Sequence, residues 1–210
     1  MTAVATPRFV HVLERGDNLA LPPLLLLHGT GGDEHDLLPL GRMVTPGATL
    51  ISPRGQVLEN GMPRFFHRLA EGVFDEADLR RRTDDLASFV QVVQAEQGLP
   101  APIALGFSNG ANIAASLLLH HPGLLRGAAL LRAMMPYREP PAARLDGTPV
   151  LLLSGAADPI VPAANSAALA ALLQGGGAAV THQSLPVGHG LSQMDVGLLR
   201  QWLGSIQGMR

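Results

Sequence analysis

The 210-residue chain has no cysteine. Disulfides, thiolate nucleophiles and cysteine-ligated metals are thereby excluded, and a reducing compartment, the cytoplasm, is the expected setting. Charge is sparse: the formal net charge is −2, and charged residues make up 15% of the chain. There is no basic stripe with interleaved aromatics, so no nucleic-acid partner is expected. The one basic run, Arg80-Arg81-Arg82, is flanked by Asp75, Glu76, Asp78, Asp84 and Asp85. That is the pattern of a solvated helix face. Long hydrophobic runs are missing too. No basic segment followed by an apolar one opens the chain, so no signal peptide is expected. The most apolar early run, residues 24–27, is far too short to cross a bilayer, and no stable membrane insertion is expected. Both glycine patterns that cradle phosphates, G-x-x-x-x-G-K-[ST] and G-x-G-x-x-G, are missing. His120-His121, and His35 with Asp33 and Asp36, lack metal-ligand spacing, so no metal and no cofactor are expected.

What is present is an alternation of short apolar runs with helix-length segments. Strands are predicted over 24–27, 48–52, 102–106, 127–132, 150–154 and 178–185, with residues 9–13 as an extra edge strand. Helices are predicted over 77–97, 109–121, 163–173 and 191–206. The strands are apolar throughout rather than at alternate positions. Such runs belong to a mostly parallel sheet covered by helices on both faces, an α/β protein. The length suits a single domain over 1–210.

In a sheet of this kind functional groups gather beyond the C-terminal strand ends. Residues 106–110 read Gly-Phe-Ser-Asn-Gly and sit between a predicted strand and a predicted helix. Chance supplies one such G-x-S-x-G match in about a tenth of chains of this composition, so the context decides. A strand-to-helix turn that exposes a serine is sharp, and a side chain at Gly106 or Gly110 would strike neighbouring backbone. Ser108 is therefore the candidate nucleophile. It needs an imidazole to take its proton and a carboxylate to orient that imidazole. In this topology the order is serine, acid, histidine. Glu139 lies in a proline-rich loop and Asp146 precedes a strand. Asp158, in Gly155-Ala156-Ala157-Asp158-Pro159, follows one. His182 falls inside a predicted strand, which favours a packed or edge role. His189, in Gly188-His189-Gly190, stands in the loop beyond it, with glycines that let it reach toward Ser108. The candidate catalytic set is Ser108, Asp158 and His189.

Developing negative charge on a substrate needs donors. One is the backbone amide of Asn109, directly after the serine. The second is expected from the glycine-rich loop 28–32, His-Gly-Thr-Gly-Gly, at the Thr30 amide. His28 comes too early to be the base and is expected to order that loop by hydrogen bonding.

These blocks, with Leu27 to Glu34, Gly106 to Asn112, Asp158-Pro159 followed by Val161-Pro162, and Gly188-His189-Gly190, resemble the phospholipase/carboxylesterase family of α/β-hydrolases. The family also holds the acyl-protein thioesterases, and the bacterial carboxylesterase branch is the nearer likeness. The resemblance spans about residues 24–190. It implies the α/β-hydrolase fold and cleavage of carboxylic esters through a Ser-His-Asp triad. Asn109 departs from the glutamine usual after the nucleophile in acyl-protein thioesterases, and Thr30 from their leucine. Both departures argue against protein depalmitoylation.

The connection over 133–149 is too short for a lid domain, which leaves the cleft open. Its wall is expected from the stretch after Pro53, with Arg54, Met62, Phe65 and Phe66 as the pocket residues. Phe65, Phe66 and Phe74 either line the site or pack a surface excursion onto the core. Arg54 either meets an anionic substrate group or pairs with Glu59. The expected partner is a small-molecule ester of short to medium acyl chain, and a homodimer is left open. Thioesters or lysophospholipids, cut by the same triad, are the alternative substrates. A binding receptor on a hydrolase scaffold is the alternative of another class.

Overall fold

The computed structural model describes residues 8–207. Its centre is a seven-stranded sheet. The strands are β1 (His11–Glu14), β2 (Leu24–Leu27), β3 (Leu50–Pro53), β8 (Ile103–Phe107), β9 (Gly127–Leu131), β10 (Pro149–Gly155) and β11 (Ala179–Leu185). Their spatial order is β1-β3-β2-β8-β9-β10-β11. Only β1 runs antiparallel to its neighbour, β3; the other pairs are parallel.

The leucine and alanine runs explain both layers. Successive strand residues point to opposite faces. Leu25, Leu27, Ala104, Ala128, Leu130, Val150 and Leu152 join one buried cluster. Their neighbours Leu24, Leu26, Leu105, Ala129, Leu131, Leu151 and Leu153 join the other. The first cluster is roofed by α2 (Glu76–Gln97), α3 (Asn109–His120) and α4 (Ala163–Gly175). The second is roofed by α1 (Leu38–Val44) and α5 (Gln193–Gln207). Each buried leucine contributes about 1.5–3 kcal/mol. Burial on both sides is why these strands show no polar alternation. Among the described residues no helix is long and apolar enough to cross a membrane.

The predicted strands and helices appear with ends shifted by one or two residues, and the edge strand begins at His11 rather than residue 9. Five elements are additional, one helix and the four strands of two hairpins. Helix α1 has Pro39 in its first turn and is only seven residues long. Two hairpins fill the stretch after Pro53: β4 (Val57–Glu59) with β5 (Met62–Arg64), and β6 (Arg68–Ala70) with β7 (Val73–Phe74). The first turns at Asn60-Gly61, both with positive φ, the backbone that closes a two-residue hairpin. Asp75 then starts α2 by accepting the Asp78 amide, and Gly98, at φ 64°, ends it.

The strand order reverses beside β2. The chain steps from β2 outward to β3, then returns to place β8 on the other side of β2. The crevice above the C-terminal ends of β2 and β8 is the switch point, where such sheets bind ligands. The connection between β9 and β10 carries neither helix nor strand.

Candidate active site

Ser108 follows β8 at φ 51°, ψ −112°. That is a left-handed backbone which costs a non-glycine residue energy and persists only where its surroundings enforce it. Here the constraint comes from both sides. Its N–H donates to the Leu131 carbonyl at 2.8 Å, and its own carbonyl accepts the Asn112 amide at 3.0 Å, opening α3. The two glycines allow the closeness. A Cβ on Gly106 would lie 2.6 Å from the Gly110 oxygen, and one on Gly110 would lie 2.0 Å from the Leu27 oxygen. With the backbone pinned, the hydroxyl is presented to the cleft.

His189 lies in the loop between β11 and α5. Its Nε2 is 2.9 Å from Ser108 Oγ, and its Nδ1 is 2.8 Å from Asp158 Oδ2. An ionised carboxylate only accepts, so Nδ1 carries the proton and Nε2 is free to accept from the serine hydroxyl. The Asp158 side chain is fully buried. Burial by itself would raise its pKa. The Ile160 amide, the His189 ring and the Val161 amide together outweigh that and hold the carboxyl below its ordinary range. The two amides donate to Oδ1 at 2.8 and 3.0 Å, leaving Oδ2 for the imidazole. The Phe107 ring packs on the imidazole at 5.5 Å between centroids.

On the other side of Ser108 the loop 28–32 is fastened by polar contacts. The Gly55 amide donates to His28 Nε2 at 2.9 Å, which fixes the proton on Nδ1, and Nδ1 donates to the Gly29 carbonyl at 2.6 Å. Burial pushes the His28 pKa down and keeps the ring neutral. Strand β5 holds the same loop: the Gly31 amide donates to the Pro63 carbonyl at 3.0 Å, and Arg64 Nη1 donates to Thr30 Oγ1 at 2.6 Å. Thr30 and Asn109 both line the cleft with Ser108 and His189. Asn109 is the first residue of α3, so its amide has no intrahelical acceptor.

A model of the phospholipase/carboxylesterase family matches residues 11–206. The chain belongs to the phospholipase/carboxylesterase family. Among its relatives is MhqD of Bacillus subtilis (strain 168), a hydrolase by provisional name. It is 46% identical over 198 residues, covering 91% of this chain and 96% of MhqD. A carboxylesterase from Bacillus cereus superposes with a TM-score of 0.92 at 46% identity over 94% of each chain. A Mesorhizobium loti carboxylesterase does so at 0.85, with 37% identity over 90% of each. The fold is therefore that of the α/β-hydrolases.

For this member of the family, the expected pocket wall needs correction. The cleft has a volume of about 260 Å³, and Arg54, Met62, Phe65 and Phe66 do not line it. Phe65 and Phe66 are buried in the core beneath the hairpins. There Phe65 stacks on His28 at 4.7 Å, and Phe66 meets Phe74 edge-on at 5.0 Å. Two adjacent aromatics are the largest apolar surface on this excursion, and burying them is what anchors it. Met62 stays 39% exposed at the hairpin turn, outside the cleft. Arg54 pairs with neither expected partner: it forks onto Glu34, at 2.5 and 2.7 Å. Glu59 instead pairs with Arg64 and Arg68. The actual lining combines Phe74, Phe107, Met134 and Ile160 with Arg64, Arg68 and Glu71.

Asn109 also has a part that the residue pattern did not suggest. Its Oδ1 accepts the Phe65 amide at 2.7 Å, tying the hairpin excursion to the turn at Ser108. The described residues contain no group of three or more His, Asp or Glu placed to hold a metal ion.

Proposed function

We propose that the protein is a serine carboxylesterase that works through an acyl-enzyme, with Ser108 as nucleophile, His189 as base and Asp158 as orienting carboxylate. One observation carries this reading: the unbroken hydrogen-bond chain from Ser108 Oγ through His189 to Asp158, at 2.9 and 2.8 Å. The family's carboxylesterase members support the choice of bond.

His189 Nε2 takes the hydroxyl proton as Ser108 Oγ attacks the ester carbonyl. The carbonyl oxygen becomes an oxyanion and accepts from the amides of Thr30 and Asn109. Each such donor supplies about 3–4 kcal/mol of transition-state stabilisation. The positive end of α3 adds to it. The imidazolium then gives its proton to the departing alcohol as the C–O bond breaks, leaving Ser108 acylated. Water repeats the sequence with its own oxygen as nucleophile, releasing the carboxylic acid and restoring the hydroxyl. Asp158 stays ionised throughout.

The cleft is smaller than typical drug-sized pockets of about 300–1,000 Å³. Acyl groups of short to medium length fit it, laid against Phe74, Phe107, Met134 and Ile160. The test is turnover of p-nitrophenyl acetate and butyrate by the wild type and by Ser108→Ala. The variant should lose on the order of 10⁶-fold in kcat; equal rates overturn the reading. A panel of acyl-CoA and lysophospholipid substrates separates the alternatives. A thioester preference of about tenfold in kcat/KM, or about 1.4 kcal/mol, would displace esters. Tight ligand binding with no turnover would identify a receptor.

A further inference from the structure

Ser108 is held by close backbone contact at both flanking glycines. The loop of His189 meets such contact only at its start, where a Cβ on Gly155 would lie 2.4 Å from the Gly188 oxygen and the Ala157 amide donates to the Val187 carbonyl at 3.0 Å. A Cβ on Gly188 would have its nearest neighbour at 3.7 Å, and one on Gly190 would meet nothing within 4 Å. The imidazole has nonetheless to sit within hydrogen-bond reach of two partners at once. Contact at Gly155 fixes the start of the loop, and something else must fix it from Gly188 onward.

We propose that Arg132 is the positioning residue for His189. The inference rests on the reading of His189 as the base. Arg132 is the first residue after β9, with a left-handed φ of 57°. Its guanidinium is wholly buried. All five of its N–H groups are used. Nε donates to the Gly188 carbonyl at 3.1 Å, and Nη2 to the Gly190 carbonyl at 3.0 Å. Nη1 donates to the Leu153 carbonyl at 3.2 Å. The remaining two fork onto Asp195, at 2.8 and 2.9 Å. The carbonyls on either side of His189 are thus fastened to one rigid, planar group. That group is itself fastened to β10 at Leu153.

Asp195 keeps the fork in place. It is buried in the first turn of α5. Its Oδ2 also accepts the Ser192 amide and hydroxyl, at 2.7 and 2.8 Å. The ion pair therefore joins three pieces: the ends of the central strands, the imidazole loop and the start of the last helix. Lysine could not replace the arginine, because one ammonium cannot reach two carbonyls and a carboxylate in the guanidinium's fixed fork.

A purely structural ion pair would look similar, and the experiment separates the two roles. Arg132→Met with Asp195→Leu in one chain removes both charges and refills the space with apolar groups, an exchange buried ion pairs often tolerate. Arg132→Lys keeps a cation beside Asp195 but loses the fork. Both variants should keep a cooperative melt. Both should lose about 10²-fold in kcat, the cost of a misplaced catalytic group, with KM within about twofold. Their low-field proton resonance from His189 Nδ1, assigned in the wild type with Asp158→Asn, should broaden or vanish. Wild-type kcat in either variant overturns the proposal. If the apolar pair fails to fold, the lysine variant decides alone. Mass mapping of a fluorophosphonate label keeps the two readings apart. An unlabelled Ser108 in the wild type overturns the triad itself. Labelling of Ser108 at equal rates in wild type and variants overturns only the role of Arg132.

Discussion

Ser108 and His189 both stand in glycine-flanked loops beyond strand ends, yet the glycines are there for opposite reasons. At Gly106 and Gly110 the added Cβ would lie 2.6 and 2.0 Å from backbone atoms. These glycines are voids that other chain segments fill, and the turn at Ser108 is hemmed in by backbone. At Gly190 the space is open, and at Gly188 an added Cβ would make only ordinary contact, at 3.7 Å. These glycines give slack, and the slack is taken up by hydrogen bonds: Asp158 to the ring, Arg132 to the carbonyls beside it. The Ser108 half is set by steric exclusion on both flanks; the His189 half is close-packed only where Gly155 meets Gly188 and depends on polar tethers beyond that point. The two should fail in different ways.

Among changes to the two loops' supports, the largest expected effect comes from cutting the tether nearest the chemistry. Asp158→Asn keeps an oxygen for the Ile160 and Val161 amides, so the loop and the fold should survive. The amide cannot hold the imidazole in the tautomer that accepts from serine, and kcat should fall about 10⁴-fold. Turnover of p-nitrophenyl butyrate, beside a thermal melt, measures both. A large drop in melting temperature would mean that Asp158 also carries the loop, which would blur the contrast.

Gly110→Ala attacks the other half and should do the reverse. The new methyl meets the Leu27 and His28 carbonyls, which are backbone and cannot step aside. Overpacking of this kind costs about 1–3 kcal/mol, and a contact this close belongs at the upper end. The loss should appear first as stability, read from urea unfolding. A variant with wild-type stability would show that α3 can slide, and that the turn is not held by exclusion.

The contrast bears on what the sequence could tell. The strands were legible because burial on both faces leaves a continuous apolar run, as in Leu24–Leu27. Ser108, Asp158 and His189 stood out as the right residue types in the right order past successive strands. Steric exclusion also leaves a mark, since only glycine tolerates it. Polar tethers leave far less. Arg132 and Asp195 are 63 residues apart, and a lone charge at a strand or helix end reads as solvated until the fold buries it. The hairpins were missed for a different reason. Their signal was present, Asn60-Gly61 between two short strands, but runs of two or three half-exposed residues carry little periodicity. Without the hairpins, Phe65 and Phe66 read equally as a wall or as the anchor beneath one.

Acid should expose a further difference between the loops. His28 is neutral when folded because burial pushes its pKa below the ordinary value. The unfolded chain takes up a proton there near pH 6.5, so stability falls as pH drops below about 6.5. His120 and His182, lowered by the same cause, add to the slope. Asp158 has the opposite charge logic. Its lowered pKa contributes stability present above the ordinary carboxylate range and lost only as pH falls through its folded value. The loop 28–32 should therefore loosen in mild acid and the Asp158 tether only in strong acid. Melting temperatures across pH 3–8 test the order. His28→Gln should flatten the upper part of the slope, and an unchanged profile would remove His28 from the account.

The smallest effect should come from Gly190→Ala. Its added methyl meets nothing within 4 Å. Its φ is not among the positive values that a side chain avoids. Alanine leaves the Gly190 carbonyl free to accept from Arg132 Nη2, so the tether survives the substitution. Stability should change by no more than about 0.5 kcal/mol, and kcat by less than about threefold. The same alanine at Gly110 is expected to cost several times more, although both glycines flank candidate catalytic residues. A large loss of kcat at Gly190 with stability intact would mean that the loop must flex during turnover, and the tether account of His189 would then have to include motion.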